Sequence, residues 1–295
     1  MKWEITAGGA VPGHKYKSVV TKATLTKNGK IVKNCGVCGS VASTTTIKYA
    51  KTFKLSTTNY TYDGKTKSPT VTVKDSAGKT LKKNTDYTVT YSSGRVNVGT
   101  YKVTVKMKGN YTGTKTLTFK INPANVSKCS LKLSATSFAY NGKVKTPTAT
   151  VKNASGKTLK NKTDYTVTYS SGRKKVGTYK VTVKMKGNYT GTKVLTYKIN
   201  PKAASVNSLT AGKGKLTVKL NRTLTESTGY QIQYATNKSF KSAKTVSVTS
   251  YKTSSKTLTG LKKNTTYYVR VRTYKTVSGT KYYSNWSTAK NKKTK

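Results

Sequence analysis

The chain has 295 residues, of which 58 are lysine or arginine and 6 are aspartate or glutamate, so its formal net charge is +52. A single histidine and so few acids exclude most acid–base chemistry, which needs paired groups. No nucleotide-binding, nucleophile-elbow or metalloprotease motif occurs, and no apolar run is long enough for a membrane span. We therefore expect no enzyme activity and no membrane span.

Residues 1–13 hold three glycines and one proline without periodicity, and they are predicted to be a linker or a remnant of cloning. Residues 14–50 form a small CxxC segment, like a zinc ribbon, whose flanking stretches are predicted to be short strands. Cys35 and Cys38 could hold a structural zinc ion, with His14 as the third ligand. Two alternatives stay open: a disulfide or reduced thiols, or a degenerate site that holds nothing.

Residues 14–50 are also similar to small cysteine-rich segments in surface proteins of gut Firmicutes, through their PGH, AT, NGK and CxxCG elements. Those segments usually carry a cysteine directly after the AT pair, where this chain has Leu25. The difference leaves three obvious zinc ligands.

Residues 62–123 return almost unchanged at 140–201, an offset of 78 that indicates a duplicated domain. We define repeat 1 as residues 51–123 and repeat 2 as residues 124–201. Apolar residues occupy every second position, which predicts strands with one buried face. In repeat 1 these residues are Tyr87, Val89, Tyr91, Tyr101, Val103, Val105, Met107, Leu117, Phe119 and Ile121. Two packed antiparallel sheets are the expected architecture of each repeat.

The YDG turn, the DYTVTY strand, the GNYTGT turn and the final KINP of repeat 1 resemble bacterial immunoglobulin-like surface repeats of the MBG/YDG type. Asn141-Gly142 replaces Asp-Gly in repeat 2 and suits the same turn. The resemblance implies an extracellular spacer or adhesin module without catalytic residues.

The spacing L-x-x-x-T-x-Y-x-V-x-V occurs at Leu261, Thr265, Tyr267, Val269 and Val271. This spacing matches the signature of fibronectin type III domains around their tyrosine corner, and residues 202–295 resemble that family. Leu220 stands where the family usually has tryptophan. The predicted fold class is therefore all-β, with tandem immunoglobulin-like sandwiches, a fibronectin type III sandwich and a small N-terminal CxxC segment.

The excess of positive charge rises along the chain, and residues 202–295 carry 20 basic residues and one acid. Such a field attracts polyanions such as teichoic acid, anionic host or bacterial surface glycans and, without sequence preference, nucleic acid. Outward lysines also keep strands soluble and protect sheet edges, and this explanation is as good as a binding role. If exposed, Tyr251, Tyr274, Tyr282 and Tyr283 could add stacking contacts.

Three functions are consistent with the sequence. The first is a non-catalytic structural or adhesive stalk of a bacterial cell-surface or secreted protein. The second is an electrostatic polyanion-binding module, and the third is an accessory region of a larger extracellular hydrolase. We expect a monomer in an extracellular or cell-wall setting, cut from a longer protein that carries the export signal and the anchor.

Overall fold

A computed structural model describes residues 15–295, so His14 lies outside the described part of the chain. Contacts divide the protein into two compact units, Met1–Ala124 and Asn125–Lys295. Apart from one short 3-10 turn, the regular structure described is β-strand. The prediction of an all-β fold is confirmed.

The first unit begins with a three-stranded antiparallel sheet in the order β1-β2-β3. Its strands are β1 (Tyr16–Thr21), β2 (Gly29–Cys35) and β3 (Val41–Ile47). The loop after β1 is bonded to repeat 1, because the Ala23 amide donates to the Asn110 carbonyl over 3.0 Å and the Thr112 amide donates to the Ala23 carbonyl over 2.8 Å. Gly113 makes this approach possible, since a Cβ there would lie 2.9 Å from Cγ of Leu25.

Repeat 1 folds into a two-stranded and a four-stranded sheet, in the orders β4-β6 and β5-β9-β8-β7. The strands are β4 (Ala50–Leu55), β5 (Asn59–Thr61), β6 (Val71–Asp75), β7 (Tyr87–Tyr91), β8 (Gly99–Met107) and β9 (Thr114–Asn122). β5 runs parallel to β9, and the other pairs are antiparallel.

The core of the first unit follows the predicted alternation. Of the ten predicted positions, the buried ones are Tyr87, Val103, Val105, Met107, Phe119 and Ile121, and the other four are half-buried against them. Ala23, Ile47 and Ala50 belong to the same buried cluster. The N-terminal sheet and repeat 1 therefore share one core.

Repeat 2 has the same topology. After β10 (Ala124–Asn125) and a 3-10 turn over Val126–Lys128, its sheets have the orders β11-β13 and β12-β17-β15-β14. The strands are β11 (Ser130–Leu133), β12 (Ser137–Ala139), β13 (Ala149–Lys152), β14 (Tyr165–Tyr169), β15 (Gly177–Met185), β16 (Tyr189–Thr190) and β17 (Thr192–Asn200). Tyr197 replaces Phe119 in the core, and its hydroxyl donates to the Lys145 carbonyl over 2.7 Å.

The C-terminal domain packs a three-stranded sheet, β18-β19-β22, against a sheet in the order β21-β20-β23-β24, in which β25 also pairs with β23. The strands are β18 (Ser205–Gly212), β19 (Lys215–Asn221), β20 (Gly229–Ala235), β21 (Lys244–Val248), β22 (Ser255–Leu258), β23 (Thr266–Val277), β24 (Thr280–Tyr283) and β25 (Lys290–Lys293). The Tyr267 hydroxyl accepts the Lys262 amide over 3.0 Å, as the tyrosine corner predicts.

Repeat 2 and the C-terminal domain meet in a bonded joint within the second unit. A Glu226 carboxylate oxygen accepts the Val176 amide over 3.1 Å, and the Thr178 and Tyr282 hydroxyls lie 3.0 Å apart. Val176 is buried, with 3% of its surface exposed. The Ala204 amide in the linker donates to the Thr273 hydroxyl over 3.0 Å.

Residues 15–295 contain no helix with the length and apolarity that crossing a membrane requires.

Candidate functional site

The CxxC turn joins β2 to β3 and is folded around the Cys35 sulfur. Cys35 is buried at the end of β2, and its Sγ accepts the Cys38 amide over 3.5 Å. Gly39 has a φ of +72° and donates its amide to the Cys35 carbonyl over 3.0 Å. The Cys38 amide, followed by that of Val37, holds the pKa of the Cys35 thiol below its usual value.

Amides directed at a cysteine sulfur fit one half of the zinc knuckle that the sequence predicts. Cys38 Sγ lies 3.1 Å from the Ser40 hydroxyl. Among residues 15–295 there is no cluster of three histidine, cysteine or acidic side chains that could hold a metal. Because His14 lies outside the described residues, zinc binding by His14, Cys35 and Cys38 stays a prediction.

The five acids in the described chain each accept a backbone amide and so have structural roles. Asp63 accepts from Lys65, Asp75 from Ala77 and Lys79, Asp86 from Lys82, Asp164 from Lys160, and Glu226 from Val176. Four of these acids close a local turn, and the fifth, Glu226, joins two domains. The described carboxylates are thus used in holding the backbone.

The positive charge is largely uncompensated inside the protein. Across residues 15–295, the one ion pair within 4.0 Å joins Lys67 Nζ to Asp63 at 2.6 Å. This contact holds the pKa of the Asp63 carboxyl below its usual value. Within the described chain, the other lysines and arginines have no carboxylate partner at that distance.

An arginine–aromatic ladder lies on the outer face of β23. It consists of Phe240, Arg270, Trp286, Arg272 and Tyr283, stacked in that order. The guanidinium carbon of Arg270 lies 4.0 Å from the Phe240 ring centre and 4.9 Å from that of Trp286. That of Arg272 lies 4.5 Å from the Trp286 ring centre and 4.0 Å from that of Tyr283.

Each arginine in the ladder is also fixed from the neighbouring strand β20. Arg270 Nε donates to Gln233 Oε1 over 2.7 Å, and Arg272 donates through Nε and Nη2 to Gln231 Oε1 over 2.9 and 2.7 Å. Burial lowers the pKa of the Arg272 guanidinium, which remains a cation at neutral pH because its ordinary pKa is so high. Stacked cations of this kind contribute about 0.5–2 kcal/mol per contact, depending on exposure.

Two serines hold Trp286 in the ladder although residues 284–289 form no strand. The Thr273 amide donates to the Ser284 hydroxyl over 3.0 Å, and the Val271 amide donates to the Ser287 hydroxyl over 3.1 Å. These hydroxyls replace carbonyls in the sheet ladder, so the segment stays attached to β23.

The motifs and composition of the sequence did not predict this ladder. Its signal is the alternation of Arg270 and Arg272 with the core residues Val269 and Val271, which places both arginines on one outer face. Of the four tyrosines considered for stacking, Tyr274 is buried, whereas Tyr251, Tyr282 and Tyr283 are half-buried.

A scan against protein-family models finds no match, and a search of curated proteins finds none either. Among solved structures, the chain is similar to the FN1-FN3 domains of chicken CNTN1, with 16% identity and a TM-score of 0.30, over 91% of this chain and 77% of that one. The strand pairing described above makes the chain an all-β protein of immunoglobulin-like and fibronectin type III-like sandwiches.

Proposed function

We propose that the chain is a non-catalytic structural and adhesive stalk segment of a bacterial cell-surface or secreted protein, with MBG/YDG-type repeats ahead of a fibronectin type III domain. The observation that carries the proposal is the bonded joint between repeat 2 and the C-terminal domain. A stalk must resist bending between its domains, and this joint combines a buried valine, a carboxylate bond and a hydroxyl pair.

Glu226 offers a direct test of this joint. A hydrogen bond to a charged acceptor contributes about 1.5–3 kcal/mol, and we take about 1 kcal/mol here because Glu226 is half-exposed. Replacing Glu226 by alanine should therefore speed hydrogen exchange of the Val176 amide about fivefold. The rotational correlation times of repeat 2 and the C-terminal domain, measured by NMR relaxation, should be equal in the native chain.

Asp164→Ala is the matched control, because it also removes one negative charge and one carboxylate bond, to the Lys160 amide. It should leave Val176 exchange unchanged. Independent tumbling of the two domains in the native chain would refute a stiff stalk.

A second function, polyanion binding, is favoured by the charge count and by the scarcity of internal ion pairs among the described residues. Each neutralised phosphate or sulfate releases counterions, so the logarithm of affinity should fall linearly with the logarithm of salt concentration. Heparin, teichoic acid and DNA should then rank by charge density, with residues 202–295 the strongest site. Equal affinity at low and high salt would exclude this mechanism.

A further inference from the structure

A cleft with a volume of about 580 Å³ opens at one end of the C-terminal domain. It lies between the 236–243 loop and the 260–262 turn, and both tyrosines of a ring pair line it. The side chains used below are Tyr234, Lys241, Ser242, Lys244, Lys262 and Tyr267. Its volume falls within the range of small-ligand sites, about 300–1,000 Å³.

The loop that forms one wall of the cleft is held in place before any ligand arrives. The Asn237 side chain donates to the Lys241 carbonyl over 2.9 Å and accepts both the Lys241 amide, at 2.9 Å, and the Ser239 hydroxyl, at 2.8 Å. Phe240, with a φ of +58°, lies under Arg270 as the end of the arginine–aromatic ladder. A fixed wall lowers the entropic cost of binding.

The cleft carries positive charge without an internal partner. Lys241, Lys244 and Lys262 are exposed, and the one acid in residues 202–295 is Glu226, whose carboxylate is bonded to the Val176 amide in the joint. These lysines therefore have no carboxylate partner within residues 202–295 and can pair with an anion from outside the chain. A lysine ammonium group acts as a compact point charge, and three of them around one cleft suit a compact anionic group.

The remaining lining suits a polyhydroxylated ligand. Tyr234 and Tyr267 place their ring centres 6.2 Å apart at an angle of 57°, and Tyr234 is half-exposed. The Tyr234 and Ser242 hydroxyls make no hydrogen bond within the described part of the chain, so they can donate to or accept from ligand hydroxyls. A Cβ added at Gly260 would meet no atom within 4 Å, which leaves the opposite wall open.

We propose that this cleft binds one sugar unit that carries an anionic group, whether sulfate, carboxylate or phosphate. The proposal rests on the polyanion-binding function. It adds one defined binding site to the non-specific attraction that the positive charge exerts on anions. A sugar is favoured over a nucleic-acid strand because the cations surround a single cleft lined by hydroxyls, whereas a strand needs a groove that follows its backbone.

The test measures binding by calorimetry to the full chain in about 0.5 M salt, where the screening length is under ~5 Å and the diffuse field is suppressed. The probes are a sulfated heparin disaccharide, N-acetylneuraminic acid and glycerol phosphate, with lactose as the neutral sugar and oligothymidylate as the competing polyanion. The cleft variant changes Lys241, Lys244 and Lys262 to glutamine. The control variant changes Lys219, Lys256 and Lys292 to glutamine. These are exposed lysines of the same domain, so the control has the same net charge as the cleft variant.

We expect one anionic sugar to bind with one-to-one stoichiometry, at least tenfold more weakly to the cleft variant and within about twofold of native to the control. The conservative Tyr234→Phe variant should weaken that sugar severalfold and leave binding of inorganic sulfate unchanged. Equal losses of affinity in the two lysine variants, measured at low salt, would overturn the proposed cleft site and leave polyanion binding intact. Absence of polyanion binding at any salt concentration would overturn both, and tighter binding of oligothymidylate would assign the cleft to nucleic acid.

Discussion

Replacing Arg272 by lysine tests whether the arginine–aromatic ladder stabilises the C-terminal domain. Arg272 stacks on Tyr283 and Trp286 and makes two hydrogen bonds to Gln231. A lysine retains the charge, but its ammonium group cannot stack between two rings and at the same time donate two hydrogen bonds to one oxygen.

The expected cost follows from these contacts. Two cation–π contacts with half-buried rings contribute about 0.5–1 kcal/mol each, and the hydrogen bonds together add about 1 kcal/mol. Lysine recovers part of this sum, so the free energy of unfolding of the domain should fall by about 1–2 kcal/mol. With a urea dependence of about 2 kcal/mol/M, in the middle of the usual range, the unfolding midpoint should move down by about 0.5–1 M.

Trp286 is itself a ladder residue and provides the assay. The chain has two tryptophans, so a Trp3→Phe background makes Trp286 fluorescence report on the C-terminal domain alone. Arg222→Lys is the control, because Arg222 is exposed and donates to the Lys252 carbonyl outside the ladder. It should change stability by less than about 0.5 kcal/mol. Equal midpoint shifts in the two variants would refute the stabilising role of the ladder.

Two further predictions concern the first unit. The Asp63 pKa is depressed by Lys67, so the stability from this pair is present above the unfolded pKa of about 3.9 and is lost as pH falls through the folded value. Asp63→Asn, the amide that repeat 2 carries at Asn141, should flatten the pH dependence of thermal unfolding below pH ~4 without disturbing the turn; an unchanged pH profile would contradict this. Protein purified without chelator should contain stoichiometric zinc that Cys35→Ser abolishes, and native protein without metal would remove the zinc hypothesis.

The strands and their buried faces were predictable because they depend on a local period of two. Val103 and Val105 alternate with exposed or half-exposed neighbours, and the tyrosine corner depends on residues within a few positions of Tyr267. The contribution of Ala23 to the core of repeat 1 was not predictable in this way, since it requires a loop to bond to a turn some ninety residues later.

Local sequence patterns indicate only some of the residues in the candidate sites. Arg270 and Arg272 were recognisable as outward residues, but Phe240 and Trp286 reach them only through the order of strands β20, β21 and β23 and the serine-held segment after β24. The cleft likewise combines a loop with a turn about twenty residues further on. Both candidate sites therefore depend on non-local register, which composition and periodicity do not specify.

The joint shows how a duplicated domain can be connected to a different neighbour without losing its sequence. Repeat 2 contributes a backbone amide at Val176 and a hydroxyl at Thr178, and both belong to the VGT stretch that repeat 1 also carries from Val98. The specific partner, Glu226, comes from the C-terminal domain, where it has a φ of +51°, an uncommon conformation outside glycine. The repeat thus offers groups that any copy would present, and the fibronectin type III-like domain supplies the one charged side chain that selects the contact.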